Sequence, residues 1–253
     1  MKEAWVRSTL VIRSKSLAHG NSGVRSVLVD GLIHMLNNSI IPVIPLRGSI
    51  SASGDLIPLS YVVGALQGSP GVQVWVDGHN GRQQIGADVA LSNYFKAPLR
   101  LGPKEGLAIV NGTAVSAGVG ALALHDAHVL IILSQLLTAM GIEAVCGSAE
   151  SFDPFFAQCR PHPGQAEAAS NIRSFLLGSQ LVSNDKSDCV HGDCLPQDRS
   201  SFRTAAQWLG PQIENMVLAD EQIQVKITRQ LTTPLSTPQM RRSFTVAISK
   251  RCL

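Results

Sequence analysis

Apolar residues recur at helical spacing along much of this chain. Leu28, Leu32, Ile33, Met35 and Leu36 repeat around Val24 and Val27, and the spacing predicts helix over Val6 to Asn38. Prolines and glycines then punctuate Pro42 to Pro58, which reads as loop, with helix resuming near Leu59. Val72, Val74 and Val76 alternate with Gln73, Trp75 and Asp77 before the turn signal Gly78-His79-Asn80-Gly81, so Gly71 to Gly81 reads as a small hairpin. Asp88 to Phe95 predicts a short helix, and Ala114 to Met140 a long one that Ile142 to Cys146 extends. Gly118 and Gly120 would weaken that helix in isolation and suit the close approach of a neighbour. Breaks follow at Pro154 and at Arg160 to Gly164. Gln165 to Leu181 reads as helix with Ile172, Phe175, Leu176 and Leu177 as its apolar face. Ser183 to Pro196 reads as polar loop, Trp208 to Lys226 as helix, and the sequence from about Thr228 as a poorly ordered tail. There is no internal repeat. The sum is an all-α chain with one minor hairpin, divided as a core domain over 1–227 and a divergent tail over 228–253.

Composition narrows the classes. The chain has 253 residues, 45% hydrophobic and 15% charged, enough to bury a substantial core. A net charge of +3 with scattered Lys and Arg gives no footprint for nucleic acid. The opening residues lack the apolar region of a secretory signal, and five cysteines without such a signal read as reduced thiols, so a cytoplasmic location is expected. Gly106 to Leu124 carries no charge and approaches membrane length. Its Gly, Ala, Ser, Thr and Asn content and its end at His125-Asp126 favour a buried core helix over a membrane span.

The densest candidate chemistry is "GSISASGDLIPL", Gly48 to Leu59. Apolar runs flank it on both sides, which predicts a turn that is buried or half-buried. Ser53 would serve as a nucleophile only with a base and an orienting acid, and the first glycine of a G-x-S-x-G elbow is missing. The plainer reading is a serine-rich turn with Asp55 near a helix N-terminus. His125 and His128 sit at i, i+3 without an evident third ligand, and Cys189 to Cys194 offers one knuckle where structural zinc needs four ligands, so no metal is expected.

Four stretches carry more. "PLRGSISASGDLIPLSYVVGAL", "LGPKEGLAIVNGTAVSAGVGALALHDAH", "RPHPGQAEAASNIR" and "QDRSSFRTAAQWLGP" are long, ordered and correctly spaced. Over Trp5 to about Ile227 the chain resembles the middle of an aromatic amino acid ammonia-lyase. "RPHPGQ" and "QWLGP" are more similar to the phenylalanine branch than to the histidine branch. The resemblance implies an elongated helical bundle, here incomplete at both ends. It implies that Ala52, Ser53 and Gly54 cyclise, with loss of two waters, to a 4-methylideneimidazol-5-one. Gly54 would supply the attacking nitrogen, Ser53 the hydroxyl that leaves, and Ala52 the carbonyl. It implies elimination of ammonia from L-phenylalanine to give trans-cinnamate, in a specialised pathway such as phenylpropanoid metabolism. Asn111 matches an asparagine near the electrophile and equally suits an N-cap of the following helix. Gln197 matches an active-site glutamine, and Arg203 the arginine that grips the substrate carboxylate. The implied partners are a small aromatic amino acid and further chains, as a homotetramer or with a longer lyase, and neither nucleic acid nor membrane.

Departures from the family pattern bear on activity. The segment with the family's catalytic tyrosine has no counterpart here, where the tyrosines are Tyr61 and Tyr94. Ser200 stands where the family has tyrosine, and Thr232-Thr233-Pro234-Leu235 lacks the family's Asp-Asn. The alternative expectation is a non-catalytic relative that assembles with a full-length lyase, or an inactive gene product.

Overall fold

The computed structural model describes residues 1–50, 54–78, 81–94, 99–182 and 198–228, with the side chains of 93 and 94 left aside. Ten α-helices and three short strands occur among them: α1 Glu3–Ala18, α2 Ser26–Asn37, β1 Ile41–Pro42, α3 Leu56–Leu66, β2 Gln73–Gly78, β3 Gly81–Gly86, α4 Ala87–Tyr94, α5 Glu105–Val110, α6 Ala114–Ala144, α7 Pro154–Cys159, α8 Pro163–Phe175, α9 Ser200–Arg203 and α10 Ala205–Thr228. The mostly helical class is as expected. The polar loop read over Ser183 to Pro196 and nearly all of the tail lie outside the described residues.

The chain divides into two compact units, Met1–Leu122 with Ile223–Leu253, and Ala123–Gln222. In the first, Leu10, Leu17, Leu28, Leu32, Met35, Leu59 and Leu66 form the centre of one apolar core. The single helix predicted over Val6 to Asn38 is two helices, because Gly20 and Gly23 take positive φ of 80° and 66° and turn the chain back between them. Val24, Leu28, Leu32 and Met35 are buried as the periodicity predicts, whereas Val27 and Ile33 lie on the outer face. The hairpin is present and gains a third strand: β1 pairs antiparallel with β2, matching Ile41 to Trp75, and β2 pairs with β3 in the register Val74↔Ile85. Val74 and Val76 face the core. Helix α3 begins at Leu56, three residues before the expected start. Pro58 sits in its first turn, where a missing N–H leaves no bond unmade.

In the second unit Ile142, Phe152, Ala168, Ile172 and Ile213 form a separate core. Helix α8 ends at Phe175, six residues short of the expected Leu181. Ile172 and Leu176 are buried, while Phe175 and Leu177 are exposed, so only half of the predicted apolar face packs. Gln135 of α6, 2% exposed, accepts from Asn171 Nδ2 of α8 at 2.9 Å.

The stretch Glu105–Ala144 is long and apolar enough to cross a membrane by length and composition. The buried-helix expectation holds for the start of α6, where Ala114, Val115 and Ala117 pack inside. Farther along, Val129, Leu130, Ile132, Leu137 and Met140 are exposed.

The motifs "RPHPGQ" and "QWLGP" meet each other. A Cβ on Gly164 would overlap the Gly210 carbonyl oxygen, and one on Gly210 would lie 2.6 Å from the Gln165 nitrogen. Glu214 accepts from the Gly164 N–H at 3.1 Å and satisfies an orphan donor at the start of α8. The two helices thus touch backbone to backbone at a pair of glycines. Gly210→Ala will cost about 1–3 kcal/mol in urea denaturation. Gly71→Ala, with nothing within 4 Å of the added carbon, will change stability by less than about 0.5 kcal/mol in the same measurement.

Candidate active site

Of the Ala-Ser-Gly segment, Ala52 and Ser53 lie outside the described residues and Gly54 lies within them. Gly54 is buried and has φ +123°, a conformation that L side chains rarely adopt. A Cβ there would overlap Asn111 Oδ1 and stand 2.9 Å from the Gly112 nitrogen. Only glycine fits between the turn and the α5–α6 connection. Directly after it, the Asp55 N–H donates to the Gly112 carbonyl at 2.9 Å. The structure therefore brings Gly54 and Asn111 together from positions far apart in the chain.

Asp55 is 3% exposed and takes the N-cap position of α3. Its carboxylate accepts from the Ser49 hydroxyl and makes no cap bond to α3. The buried-turn expectation needs correcting at its edges. Ile40, Ile41 and Ile44 are buried, but Leu46, Ile50, Leu56 and Ile57 are exposed. Pro45, Arg47, Gly48 and Ser49 carry the approach over the surface, and the core-facing stripe of α3 is Leu59, Val62, Val63 and Leu66.

Asn111 is the C-cap of α5, with its N–H bonded to the Leu107 carbonyl at 3.0 Å, so it is not the N-cap of α6. Helix α6 starts only at Ala114. The carbonyls at the end of α5 are gathered by Arg13 of α1. Its Nε donates to the Ile109 oxygen at 2.8 Å, and its Nη2 to the oxygens of Asn111, at 3.0 Å, and Ala108. Arg13 is 2% exposed, and no carboxylate pairs with it among the described residues. Burial pulls its guanidinium down to about 10, so it stays charged at neutral pH. Lys226, whose ammonium is pushed down by burial and then by Arg13, adds a second positive charge near it. Behind Gly112, an added Cβ would overlap Arg13 Nη1 and stand 3.1 Å from Cζ.

Arg13 and Glu105 were not legible as site neighbours from motif alone. A signal for Arg13 exists: it falls on the same helical stripe as Val6, Leu10 and Leu17, all buried. A charged residue on such a stripe is a buried polar group in need of partners.

Arg203 belongs to the second unit, at the exposed end of α9. Asp198 anchors the approach to it, accepting from the Ser148 N–H at 2.7 Å, and Phe202 packs on Gly141 of α6, where a Cβ would stand 2.7 Å from the ring. Ser200 begins α9, and Gln197 lies outside the described residues. His128 Nε2 lies 2.6 Å from Asp220 Oδ2. The Cys189 to Cys194 knuckle lies outside the described residues, and no group of three or more His, Cys, Asp or Glu with metal-holding geometry occurs within them.

The family model described as aromatic amino acid lyase matches residues 1–243. A phenylalanine ammonia-lyase of Aspergillus lentulus is 46% identical over 239 residues, 94% of this chain and 33% of that relative. A phenylalanine aminomutase (L-beta-phenylalanine forming) of Talaromyces islandicus is 46% identical over 234 residues, 91% of this chain and 32% of the relative. Among solved structures, the phenylalanine ammonia-lyase from the yeast Rhodosporidium toruloides superposes with a TM-score of 0.87 at 45% identity, covering 92% of this chain and 35% of that one. The chain spans about a third of the length of the relatives it matches. Its helical architecture with few strands is that of the ammonia-lyases and aminomutases.

The approach to Asn111 is held by a buried carboxylate. Glu105, 4% exposed, accepts from Arg25 Nη2 at 2.8 Å, from Arg25 Nε at 2.9 Å, from the Arg25 backbone at 3.0 Å and from the Gly102 N–H at 2.5 Å. The side-chain bond from Arg25 leads in holding its carboxyl down to about 2, against an ordinary 4.5, with burial opposing. A depressed folded value means that the stabilisation is complete above about 4.5 and is lost as the pH falls toward about 2. Urea midpoints measured from pH 7 to pH 2 will show this loss in the native chain. In Glu105→Gln the midpoint at pH 7 will be lower, and the acid-dependent component will be absent.

Proposed function

Because the chain belongs to the aromatic amino acid lyase family, whose members include carbon–nitrogen lyases, we propose that it supplies the electrophile-bearing and carboxylate-binding part of a phenylalanine ammonia-lyase. The observation that carries this reading is Gly54. Its positive φ and the lack of room for any Cβ suit a backbone nitrogen that must reach back toward the carbonyl of Ala52. In the proposed cyclisation the Gly54 nitrogen attacks that carbonyl and one water leaves. The Ser53 hydroxyl leaves as a second water, which generates the exocyclic methylidene. The 4-methylideneimidazol-5-one so formed supplies an electrophilic carbon that turns the substrate's amino group into a better leaving group.

Holding and orienting the substrate falls to side chains of this chain. The Arg203 guanidinium is the fork for the substrate carboxylate, a planar anion that it meets with two parallel N–H bonds. Its exposure among the described residues is compatible with that role. Gln197 adds a polar contact to the same region. The Asn111 amide, already against Gly54, orients the substrate next to the turn. Overall, the Cα–N and one Cβ–H bond of L-phenylalanine break, a Cα–Cβ double bond forms, and ammonia and trans-cinnamate leave. The reading assigns the acceptor of the β-proton to no residue here: Tyr61 packs against the first core, and Ser200 has a hydroxyl far less acidic than a phenol.

Assembly belongs to the same proposal. Val129, Leu130, Ile132, Leu137 and Met140 expose apolar surface on α6, and Val217 and Leu218 do so on α10. Exposed apolar residues of this kind favour burial against other chains, as a homotetramer or with a longer lyase. A cytoplasmic setting is the proposed location.

The similarity to an aminomutase at 46% identity supports a second reading, in which ammonia returns to Cβ. Product analysis separates the two, since cinnamate and ammonia mark the lyase and β-phenylalanine marks the mutase.

Intact mass is the primary test. The purified chain will be short by two waters, mapped to the peptide that holds Ala52 to Gly54, and Ser53→Ala will not show this loss. An unmodified mass in the native chain overturns the reading. In an assembly that turns over phenylalanine, Arg203→Leu will lower kcat/KM on the order of a hundredfold, as expected for removing charge-assisted hydrogen bonds to a carboxylate.

A further inference from the structure

We propose that Arg13 is a positioning residue for the turn at Gly54: its guanidinium fixes the Asn111–Gly112 segment as the rigid wall against which the turn is held. This rests on the reading that residues 52–54 build the electrophile. The geometry runs in one connected path. The guanidinium binds the carbonyls of Ala108, Ile109 and Asn111 at the end of α5. Asn111 Oδ1 and the Gly112 nitrogen fill the space behind Gly54, and the Gly112 carbonyl accepts from the Asp55 N–H. Among the described residues of the turn Arg13 touches none, and it acts on Gly54 through Asn111 and Gly112.

A buried cation with no carboxylate partner among the described residues is an expensive way to fill space, and an aliphatic side chain of similar volume would avoid that cost only by leaving the carbonyls of Ala108, Ile109 and Asn111 without these bonds. What arginine adds is a planar fork of donors with fixed directions. Here the donors point at carbonyls that the end of a helix leaves without intrahelical partners, and the charge lies at the negative end of the helix dipole. The fork thereby sets the direction in which the chain leaves α5, which decides where Asn111 and Gly112 stand. Gly112 is glycine for a related reason, because a Cβ would displace the guanidinium. Cyclisation needs the Gly54 nitrogen within attacking distance of a carbonyl two residues back. A displacement of the wall by about 1 Å would cost on the order of a hundredfold in such a step.

The test uses the full chain with Arg13→Met, Arg13→Lys and Gly112→Ala. The last keeps the buried charge and moves the guanidinium, so it decides the matter if the first two do not fold. Thermal melts establish folding, intact mass follows the loss of two waters with time, and amide hydrogen exchange reports on Asp55. In folded variants, the water loss will slow on the order of a hundredfold. The Asp55 amide will exchange about tenfold faster, as expected when a hydrogen bond is loosened, with the α2 amides unchanged. Arg13→Lys, which keeps the charge and loses the fork, will resemble Arg13→Met. A folded variant that loses its waters at the native rate, or whose Asp55 amide is unaffected, overturns the proposal. If the native chain itself never loses water, the electrophile reading fails, and Asp55 exchange alone then decides whether Arg13 holds the wall.

Discussion

Gly54 has room for a hydrogen atom and nothing larger on the side that faces Asn111 and Gly112, and the first unit is arranged around that close approach. Two segments separated by more than fifty residues must meet at backbone distance. Helix α3 brings one, leading away from Asp55 with Leu59, Val62 and Leu66 sunk in the core. Helix α5 brings the other. It is too short to hold itself by its own hydrogen bonds, since nucleation of a helix is unfavourable and six residues complete few bonds. Its two ends are therefore tied from outside: Glu105 at the start is bound by Arg25, and the carbonyls at the end by Arg13. One arginine precedes α2 and the other lies within α1, so the pair of helices that the sequence presents as one continuous apolar helix also sets the position of α5.

The second unit uses the same device with different groups. Gly164 and Gly210 let α8 and α10 touch through their backbones, and Glu214 caps the start of α8 from the partner helix. Asp198 fastens the approach to α9 through the Ser148 N–H, and Phe202 is seated in the notch at Gly141. These contacts settle the backbone that leads into Arg203, which stays exposed. That combination of a fixed backbone and a charged end exposed among the described residues suits a residue proposed to receive an anion.

Much of this was legible in the sequence, and the parts that were not have a common cause. A long segment such as α6 was visible as a run of apolar and small residues that no proline interrupts. The hairpin was visible from its alternating valines, but β1 was not, since two residues interrupted by a proline carry no period. The break between α1 and α2 was missed because apolar spacing continues across Gly20 and Gly23, whose positive φ is a backbone property. Phe175 and Leu177 were read as core because hydrophobicity alone does not say whether a neighbouring helix is there to cover them. Motif matching found Gly54 and Asn111, which the structure places together. It gave no hint of Arg13, because a motif names residues near the chemistry and not those that hold its backbone.

The motif residues and the supporting residues obey different physical constraints. Gly54 and Gly112 are restricted by volume: any larger side chain would occupy space already filled by Asn111 or Arg13. Arg13 and Glu105 are restricted by charge and direction. Each is almost fully buried, each is far costlier to leave without partners than to replace, and each satisfies backbone groups that no other described side chain reaches. Among the described residues Arg13 has carbonyls alone to offset its charge, whereas Glu105 has Arg25. Carbonyl dipoles compensate a cation only while they stay pointed at it, so the energy of the buried charge rises steeply if the end of α5 swings away. The cost of burying Arg13 thus becomes a restoring force on Asn111 and Gly112. A neutral side chain in its place could pack as densely but would exert no such directional hold on the segment behind Gly54.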